Sequence, residues 1–197
     1  MNKFLYKILG HPGKYELKHR VANAVILIGI FLGIQSSIFN YILNLPAITV
    51  TATLGTSLLL IISYYLSRFK GLFELPIYMS IIVSLVIYTP VMWIGNGGSS
   101  GGFQYYIFVY LTFAIAVINR RAIIISIISF VILLSVLLLI YEYKFPNEIF
   151  KYPSAEDRLF DLIISFTSVL VGVSALFFVY TNQYKKSLSS ERFSKII

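Results

Sequence analysis

The sequence predicts an all-α integral membrane domain built as a bundle of six transmembrane helices. Hydrophobic residues make up 58% of its 197 residues and charged residues only 12%, and its mean hydropathy is +0.83. Soluble domains carry about 25% charged residues. The apolar residues form six runs separated by short loops, and most Lys and Arg residues fall in alternate loops, as in multi-pass membrane proteins.

A basic lead of 20 residues precedes the first apolar run. Its charged residues are five bases and one acid: Lys3, Lys7, Lys14, Lys18, Arg20 and Glu16. Residues 2–9 are expected to form a short interfacial helix, followed by a turn at 10–13. We interpret the lead as a basic anchor without a specific ligand. The run that begins near Val21 lacks a cleavage pattern, so the first helix is expected to stay in the mature protein.

The six predicted spans cover residues 21–43, 47–66, 75–94, 103–118, 122–143 and 159–180. The fourth has 16 residues, which is near the lower limit for a span. Four glycines among residues 96–102 break the chain before it, because glycine disfavours helix. Pro90 lies inside the third span, where it is expected either to kink the helix and free a carbonyl or to be only a packing feature. Gly29 and Gly33 predict close packing of the first helix.

The distribution of basic residues predicts that both termini are cytoplasmic. Thirteen Lys and Arg residues lie in the lead, in the 67–71 and 119–121 loops and in the C-terminal tail. The opposite side has three: Lys144, Lys151 and Arg158. Positive residues favour the cytoplasmic side, so we expect a multi-pass protein of the bacterial cytoplasmic membrane. Residues 21–183 would be its transmembrane domain, and residues 184–197 the start of a cytoplasmic linker or signalling helix.

Several function classes find no support in the sequence. The chain has no Cys, and both of its His residues lie in the lead, so we expect no metal site. Motifs for phosphate binding, zinc hydrolysis and a serine nucleophile are missing, so we expect no enzyme in this chain and no cofactor. The charge of +8 lies in loops where it meets lipid headgroups, and we expect no nucleic-acid partner.

Polar and aromatic residues near the predicted outer ends of the helices are the candidate ligand site: Asn40, Asn44, Tyr88, Trp93, Asn96, Tyr105 and Glu142. They come from a wider set that includes Tyr106, Arg158 and Asp161. Tyr and Trp are common at headgroup level, so a lipid-interface belt and a binding pocket both stay open. Asn40, Asn96 and Glu142 gain nothing from lipid contact, and a partner or a water-filled cavity would suit them better.

The last predicted helix is expected to leave the membrane without a break, because residues 181–197 contain neither Gly nor Pro. Phe177, Thr181, Tyr184 and Leu188 follow one another at spacings of four and three, as in a coiled-coil seam. Two interpretations stay open: a solvated amphipathic helix, or the start of a parallel dimer stalk. Phe177, Tyr184 and Leu188 are the candidates for signal transmission.

Four short segments resemble the six-helix membrane sensor domains at the N-termini of bacterial sensor histidine kinases and class III adenylate cyclases. They are Lys18-His19-Arg20, Asn96-Gly97-Gly98, Tyr152-Pro153-Ser154, and Asn182-Gln183-Tyr184 leading to Ser190-Glu191-Arg192. The resemblance implies a homodimeric receptor whose sixth helix feeds a cytoplasmic effector, kinase or cyclase, beyond Ile197. The alternatives are a small-solute or ion transporter and a dimerising membrane anchor.

Overall fold

The computed structural model describes residues 3–11, 13–118 and 120–194, without the side chains of residues 3–5, 183 and 185–194. These residues contain helices and no strand, which confirms the predicted all-α class. In chain order the helices are α1 Lys3–Leu9, α2 Leu17–Ile42, α3 Ala47–Lys70, α4 Glu74–Val83, a π-helical turn Ser84–Tyr88, α5 Thr89–Gly95, a 3-10 turn Gly98–Ser100, α6 Gln104–Val117, α7 Arg121–Lys144 and α8 Ala155–Ser194.

Five of the described helices are long and apolar enough to cross a membrane. They are α2, α3, the continuous helix Glu74–Gly95, α7 and the Ala155–Asn182 part of α8. The fourth predicted span differs, because α6 has only 14 residues. A helix of that length is about 21 Å long, whereas the hydrocarbon core of a bilayer is about 30 Å thick.

The helix α2 lies at the centre of the bundle and packs against α3, α6 and α8. Its small residues permit this, as the Gly-x-x-x-Gly spacing predicted. A Cβ atom on Gly33 would collide with the Ser57 hydroxyl of α3, and one on Gly29 would lie 3.0 Å from Leu60. On the α8 side, a Cβ atom on Gly172 would come within 2.9 Å of Leu32. A larger side chain at any of these three glycines would push the neighbouring helices apart.

The helix that contains Pro90 continues past the proline by widening into a π turn. Pro90 lies in the first turn of α5, where its missing N–H is tolerated. Just before it, the Thr89 backbone N–H and hydroxyl both donate to the Ser84 carbonyl, the hydroxyl at 2.8 Å. Such π turns occur often at functional sites, and this one contributes Ser84 and Tyr88 to the cavity described below.

The bundle has two ends, which we name by their residues. The glycine-loop end holds residues 43–46, residues 96–103 (the glycine loop) and residues 145–154. The N-terminal end holds residues 3–11 and 13–16, the 68–73 segment and residues 118 and 120. The successive long helices run between these two ends.

Candidate functional site

The glycine loop is folded into the protein. Gly97 and Gly98 have positive φ angles of 75° and 55°, which glycine adopts without strain. A Cβ atom on Gly98 would collide with the Glu142 carboxylate. Gly101, Gly102 and Phe103 are buried as well. Glycine is therefore required here both for backbone conformation and for the close approach of α7.

Glu142, near the end of α7, binds one side of this loop. Its Oε2 atom accepts hydrogen bonds from Trp93 Nε1 and from the Ser99 backbone N–H, both at 2.9 Å. Its Oε1 atom accepts a bond from Ser99 Oγ at 2.7 Å. A single carboxylate thus joins α7, α5 and the loop, and bonds to a charged acceptor are the stronger kind.

Asp161 of α8 binds the other side of the loop. Its side chain is only 4% exposed. Its Oδ2 atom accepts the Gly102 N–H at 2.6 Å and the Tyr152 hydroxyl at 2.7 Å. The same hydroxyl lies 2.7 Å from Asn96 Oδ1. The helix α8 is therefore attached to the glycine loop both directly and through Tyr152.

The Tyr152 hydroxyl has one proton and two near acceptors. Burial raises its pKa, and the neighbouring Asp161 carboxylate raises it further, so Tyr152 stays a neutral donor at physiological pH. Because it can donate only one bond at a time, the second of the two 2.7 Å contacts needs a proton from the Asn96 amide or from the Asp161 carboxyl. The three groups consequently form one linked hydrogen-bond network.

A narrow cavity of about 100 Å³ lies between α2, α3, the Glu74–Gly95 helix and α6. Toward the N-terminal end its wall is mainly apolar, with Ala22, Val25, Ile77, Ala114 and Val117 among the lining residues. Toward the glycine-loop end the wall carries the hydroxyl groups of Ser36, Thr53, Tyr88, Tyr106 and Tyr110. Hydroxyl groups are therefore more frequent toward the glycine-loop end, and Ser80, one turn after Ile77, also lines the cavity.

Tyr106 links this cavity to α8. Its hydroxyl accepts a hydrogen bond from Ser36 Oγ at 3.0 Å and lies close to the hydroxyls of Ser168 and Ser165 on α8. Ser168 in turn accepts a 2.6 Å hydrogen bond from Gln35 Nε2 of α2. Two adjacent side chains of α2, Ser36 and Gln35, thus connect Tyr106 of the cavity wall with Ser168 of the longest helix of the structure.

The structure brings three of the seven predicted ligand-site residues together: Trp93, Asn96 and Glu142 surround the glycine loop. Trp93 and Asn96 are both 3% exposed, and Tyr88 is 7% exposed, so protein rather than lipid surrounds them. The Tyr88 ring packs edge-on against the rings of Phe103 and Tyr110. Both tyrosines line the cavity.

The remaining predicted residues lie apart from that group. Tyr105 packs edge-on against Phe166 of α8. Asn44 is exposed in the turn after α2, with a positive φ of 52°. Asn40 is buried, and its amide nitrogen has no hydrogen-bond partner within the described chain. A ligand-binding role for the seven residues stays a prediction.

Sequence reasoning missed the serines that connect Tyr106 to its neighbours. Ser36, Ser165 and Ser168 lie in apolar helices, where serine is common and carries no signal of its own. Tyr106 and Asp161 were in the wider candidate set, but nothing in their spacing paired them with these serines. Only the packing of α2, α6 and α8 brings the hydroxyl groups together.

The basic lead is docked on the bundle more specifically than the expected anchor. Arg68 donates from Nη2 to the Lys7 carbonyl at 2.8 Å and from Nε to the Ile8 carbonyl at 3.1 Å. Tyr64 donates to the same Ile8 carbonyl at 2.9 Å, and Asn23 donates to the Leu9 carbonyl at 2.9 Å. These side chains satisfy the last carbonyl groups of α1, where a cation is also favoured by the helix dipole.

The helix α8 continues without interruption to Ser194. The expected domain boundary after residue 183 falls inside this helix. Phe177 and Tyr184 are exposed by 59% and 48%, and the side chain of Leu188 lies outside the described residues. Signal transmission through these three residues stays a prediction.

No protein-family model, curated protein or solved structure matches the chain. Within its described part, no group of three or more His, Cys, Asp and Glu residues could hold a metal ion. The resemblance to bacterial sensor domains stays a prediction.

Proposed function

We propose that this chain is a membrane receptor or regulatory input module of the bacterial cytoplasmic membrane. In this proposal the chain crosses the bilayer six times with both termini in the cytoplasm. It acts as a homodimer, and α8 passes a change of state to an effector, a kinase or a cyclase, that follows Ile197. The proposal draws on the basic-residue distribution, on the unbroken α8 and on the site geometry.

The glycine loop supports six crossings despite the short α6. Irregular backbone is tolerated at membrane depth only where protein buries it and satisfies its polar groups. The buried part of the loop, residues 96–98 and 101–103, meets this condition, because Asp161 accepts the Gly102 N–H. In the proposed topology, α6 and the buried loop together cover the thickness that α6 alone does not reach.

The observation that carries the proposal is the position of Tyr106. Its side chain forms part of the cavity wall, its hydroxyl accepts a hydrogen bond from Ser36, and the hydroxyls of Ser165 and Ser168 on α8 lie close to it. A molecule in the cavity that binds one arrangement of Tyr106 better than another shifts the population of α8 positions. Because α8 is one continuous helix, a rotation or slide at Ser168 reaches its far end.

Asp161 provides a second point at which α8 is attached to the rest of the bundle. It lies one turn before Ser165 on α8 and binds Gly102 and Tyr152 at the glycine-loop end. The helix α8 is therefore bonded to the loop at Asp161 and, at Ser168, to Gln35 of α2 next to the cavity wall. Two stable arrangements of this network provide the two signalling states.

The experiment is a fusion of residues 1–197 to a cyclase or kinase output domain, assayed in membranes. Tyr106→Phe removes the hydroxyl that reaches α8, and Tyr41→Phe, at a side chain that is 75% exposed, is the matched control. A one-residue insertion after Gln183 rotates the output domain relative to the membrane helices by about 100°.

We expect Tyr106→Phe and the insertion to change output at least threefold, with Tyr41→Phe equal to the parent. If neither Tyr106→Phe nor the insertion changes the output at equal protein levels, the receptor proposal is contradicted. Solute flux through liposomes containing the protein would then support the transporter alternative.

A further inference from the structure

The exposed face of α8 carries a seven-residue repeat that runs through the apolar part of the helix and into the tail. Small hydroxyl residues return at every seventh position, and large apolar or aromatic residues alternate with them. In chain order the members are Ile163, Thr167, Leu170, Ser174, Phe177, Thr181 and Tyr184, which we call the α8 seam. Every member is exposed. Spacings of four and three sustained in this way are typical of a helix that packs against a second helix.

The hydroxyl groups of the seam have no partner in the described part of the chain. Threonines elsewhere in the bundle, such as Thr51, Thr56 and Thr112, donate to a carbonyl one turn earlier in their own helix at 2.7–2.9 Å. Thr167 and Ser174 make no hydrogen bond to any described residue. Because lipid chains offer no acceptor, a hydroxyl group at this depth is stabilised by a neighbouring helix.

A second copy of the same face supplies that neighbour. Two copies with the same orientation in one membrane have parallel α8 helices, and a two-fold axis places each seam residue opposite its own counterpart. A hydroxyl group has one donor and two acceptor sites, so two Thr167 or two Ser174 side chains can pair with each other. The seam rises about 32 Å from Ile163 to Tyr184, so the contact covers the full thickness of a bilayer core of about 30 Å.

The helix α7 is more exposed than α8, but its surface suits lipid. The corresponding positions on its exposed face are occupied by large apolar side chains and a single hydroxyl residue: Ile125, Ser129, Ile132, Val136 and Leu139. Lipid chains cover such side chains without loss of hydrogen bonds, and their size keeps a second helix at a distance. The repeat of small hydroxyl residues therefore favours α8 as the interface.

We propose that two copies of this chain pack in parallel through the α8 seam, with Thr167, Ser174 and Thr181 at the closest contacts. The proposal names the surface of the homodimer in the proposed function, and it rests on that function for its signalling consequence only. The opposite face of α8 stays bonded to the bundle at Asp161 and Ser168. A rotation of α8 at Ser168 therefore changes which residues meet across the dimer.

The test is disulfide cross-linking of the full chain in cell membranes, because the parent chain has no Cys. Single cysteines are placed in the seam by Thr167→Cys, Leu170→Cys and Ser174→Cys. Ala175→Cys is the matched control, since Ala175 lies at the depth of Ser174 but is half-buried and about 100° around the helix. Ile132→Cys samples the exposed face of α7. Copper phenanthroline oxidises the cysteines, and a non-reducing gel measures the dimer fraction.

We expect each seam cysteine to give at least fivefold more cross-linked dimer than Ala175→Cys or Ile132→Cys. A second measurement uses energy transfer between fluorescently labelled copies in lipid vesicles. Ser174→Phe should separate the two helices and lower this transfer at least fivefold. Ser129→Phe places the same side chain on the exposed face of α7 and should leave the transfer unchanged.

Equal cross-linking at Ser174→Cys, Ala175→Cys and Ile132→Cys, stronger cross-linking through α7, or no cross-linked dimer at any seam position overturns the proposal. The cysteine series decides between these outcomes even where Ser174→Phe does not fold.

The two proposals fail separately. Absent seam cross-linking with an output that still responds to Tyr106→Phe removes the α8 interface and leaves the receptor. Seam cross-linking with an output that responds to neither Tyr106→Phe nor the insertion after Gln183 leaves the α8 interface and removes the receptor.

Discussion

At the scale of single residues, the chain uses carboxylates where other proteins use backbone pairing. Glu142 and Asp161 accept the Ser99 and Gly102 N–H groups, which the 3-10 turn of the glycine loop does not pair with backbone carbonyls. Unsatisfied N–H groups in a bundle cost free energy comparable to a lost hydrogen bond. These two acids therefore fix the glycine loop, and their substitution should loosen it.

We predict that Glu142→Gln lowers thermal stability by several degrees. Glutamine keeps one acceptor oxygen but turns an NH2 group toward Trp93 Nε1 or the Ser99 N–H, and an unsatisfied buried donor costs about 1–3 kcal/mol. Because Trp93 is the only tryptophan and donates to Glu142, its fluorescence in detergent follows the melting directly. Glu148→Gln, on an exposed loop residue, is the control. Equal melting temperatures for the two variants would show that Glu142 does not hold the loop.

We predict that Gly102→Ala destabilises the protein by about 2 kcal/mol or more, as overpacking does. The new Cβ atom would collide with Ser165 Oγ and lie 2.8 Å from Asp161 Oδ2. Gly55→Ala is the matched control, because nothing lies within 4 Å of its Cβ position and alanine favours helix by about 1 kcal/mol. Chemical unfolding in mixed micelles measures both. If the Gly102→Ala protein is as stable as the Gly55→Ala protein, the close packing of Gly102 against Ser165 and Asp161 is contradicted.

At the scale of elements, the sequence identified the helices better than their roles. The apolar runs marked α2, α3, α7 and the Glu74–Gly95 helix to within a few residues. Pro90 was noticed, yet its π turn was not, because that turn depends on donors from Thr89. Nothing in the sequence indicated that α1 is docked, since the bonds come from Arg68 and Tyr64, which lie 60 and 56 residues further along the chain than Ile8.

We predict that Arg68→Gln releases α1 from the bundle. The substitution removes the guanidinium that binds the Lys7 and Ile8 carbonyls, and an isolated helix of 7 residues is not stable in water. Amide hydrogen exchange of residues 6–10 should rise at least tenfold. Arg121→Gln, at an exposed helix start, should leave it unchanged. Slow exchange in both variants would show that Arg68 does not hold α1.

At the scale of the whole molecule, composition alone was enough for the class of fold. The bundle follows from apolar runs of membrane length, and five helices of this kind are present in the described chain. The candidate site could be predicted only in part from the sequence. Asn96 and Glu142 were identified because amides and acids avoid lipid, and Trp93 because it is an aromatic residue near a helix end. The cavity and the position of Tyr106 depend instead on how four helices pack, which periodicity does not specify.

Six crossings predict a simple labelling pattern. The chain has no Cys, so single cysteines can be placed at Asn147, Leu72 and Arg120, all exposed. In intact cells a membrane-impermeant maleimide should label Asn147→Cys only, and Leu72→Cys and Arg120→Cys should react after lysis. If α6 does not cross, Leu72→Cys and Arg120→Cys lie on opposite sides and only one of them is protected.

The most direct test of the central claim is a double-mutant cycle on the output of the fusion protein, with Tyr106→Phe, Ser168→Ala and both together. If Tyr106 reaches α8 through Ser168, each single variant shifts output and the double variant shifts it no further, because the same link has been removed. Effects that add, or a Tyr106→Phe variant that equals the Tyr41→Phe control, would contradict the claim that α8 reports on the cavity through Tyr106.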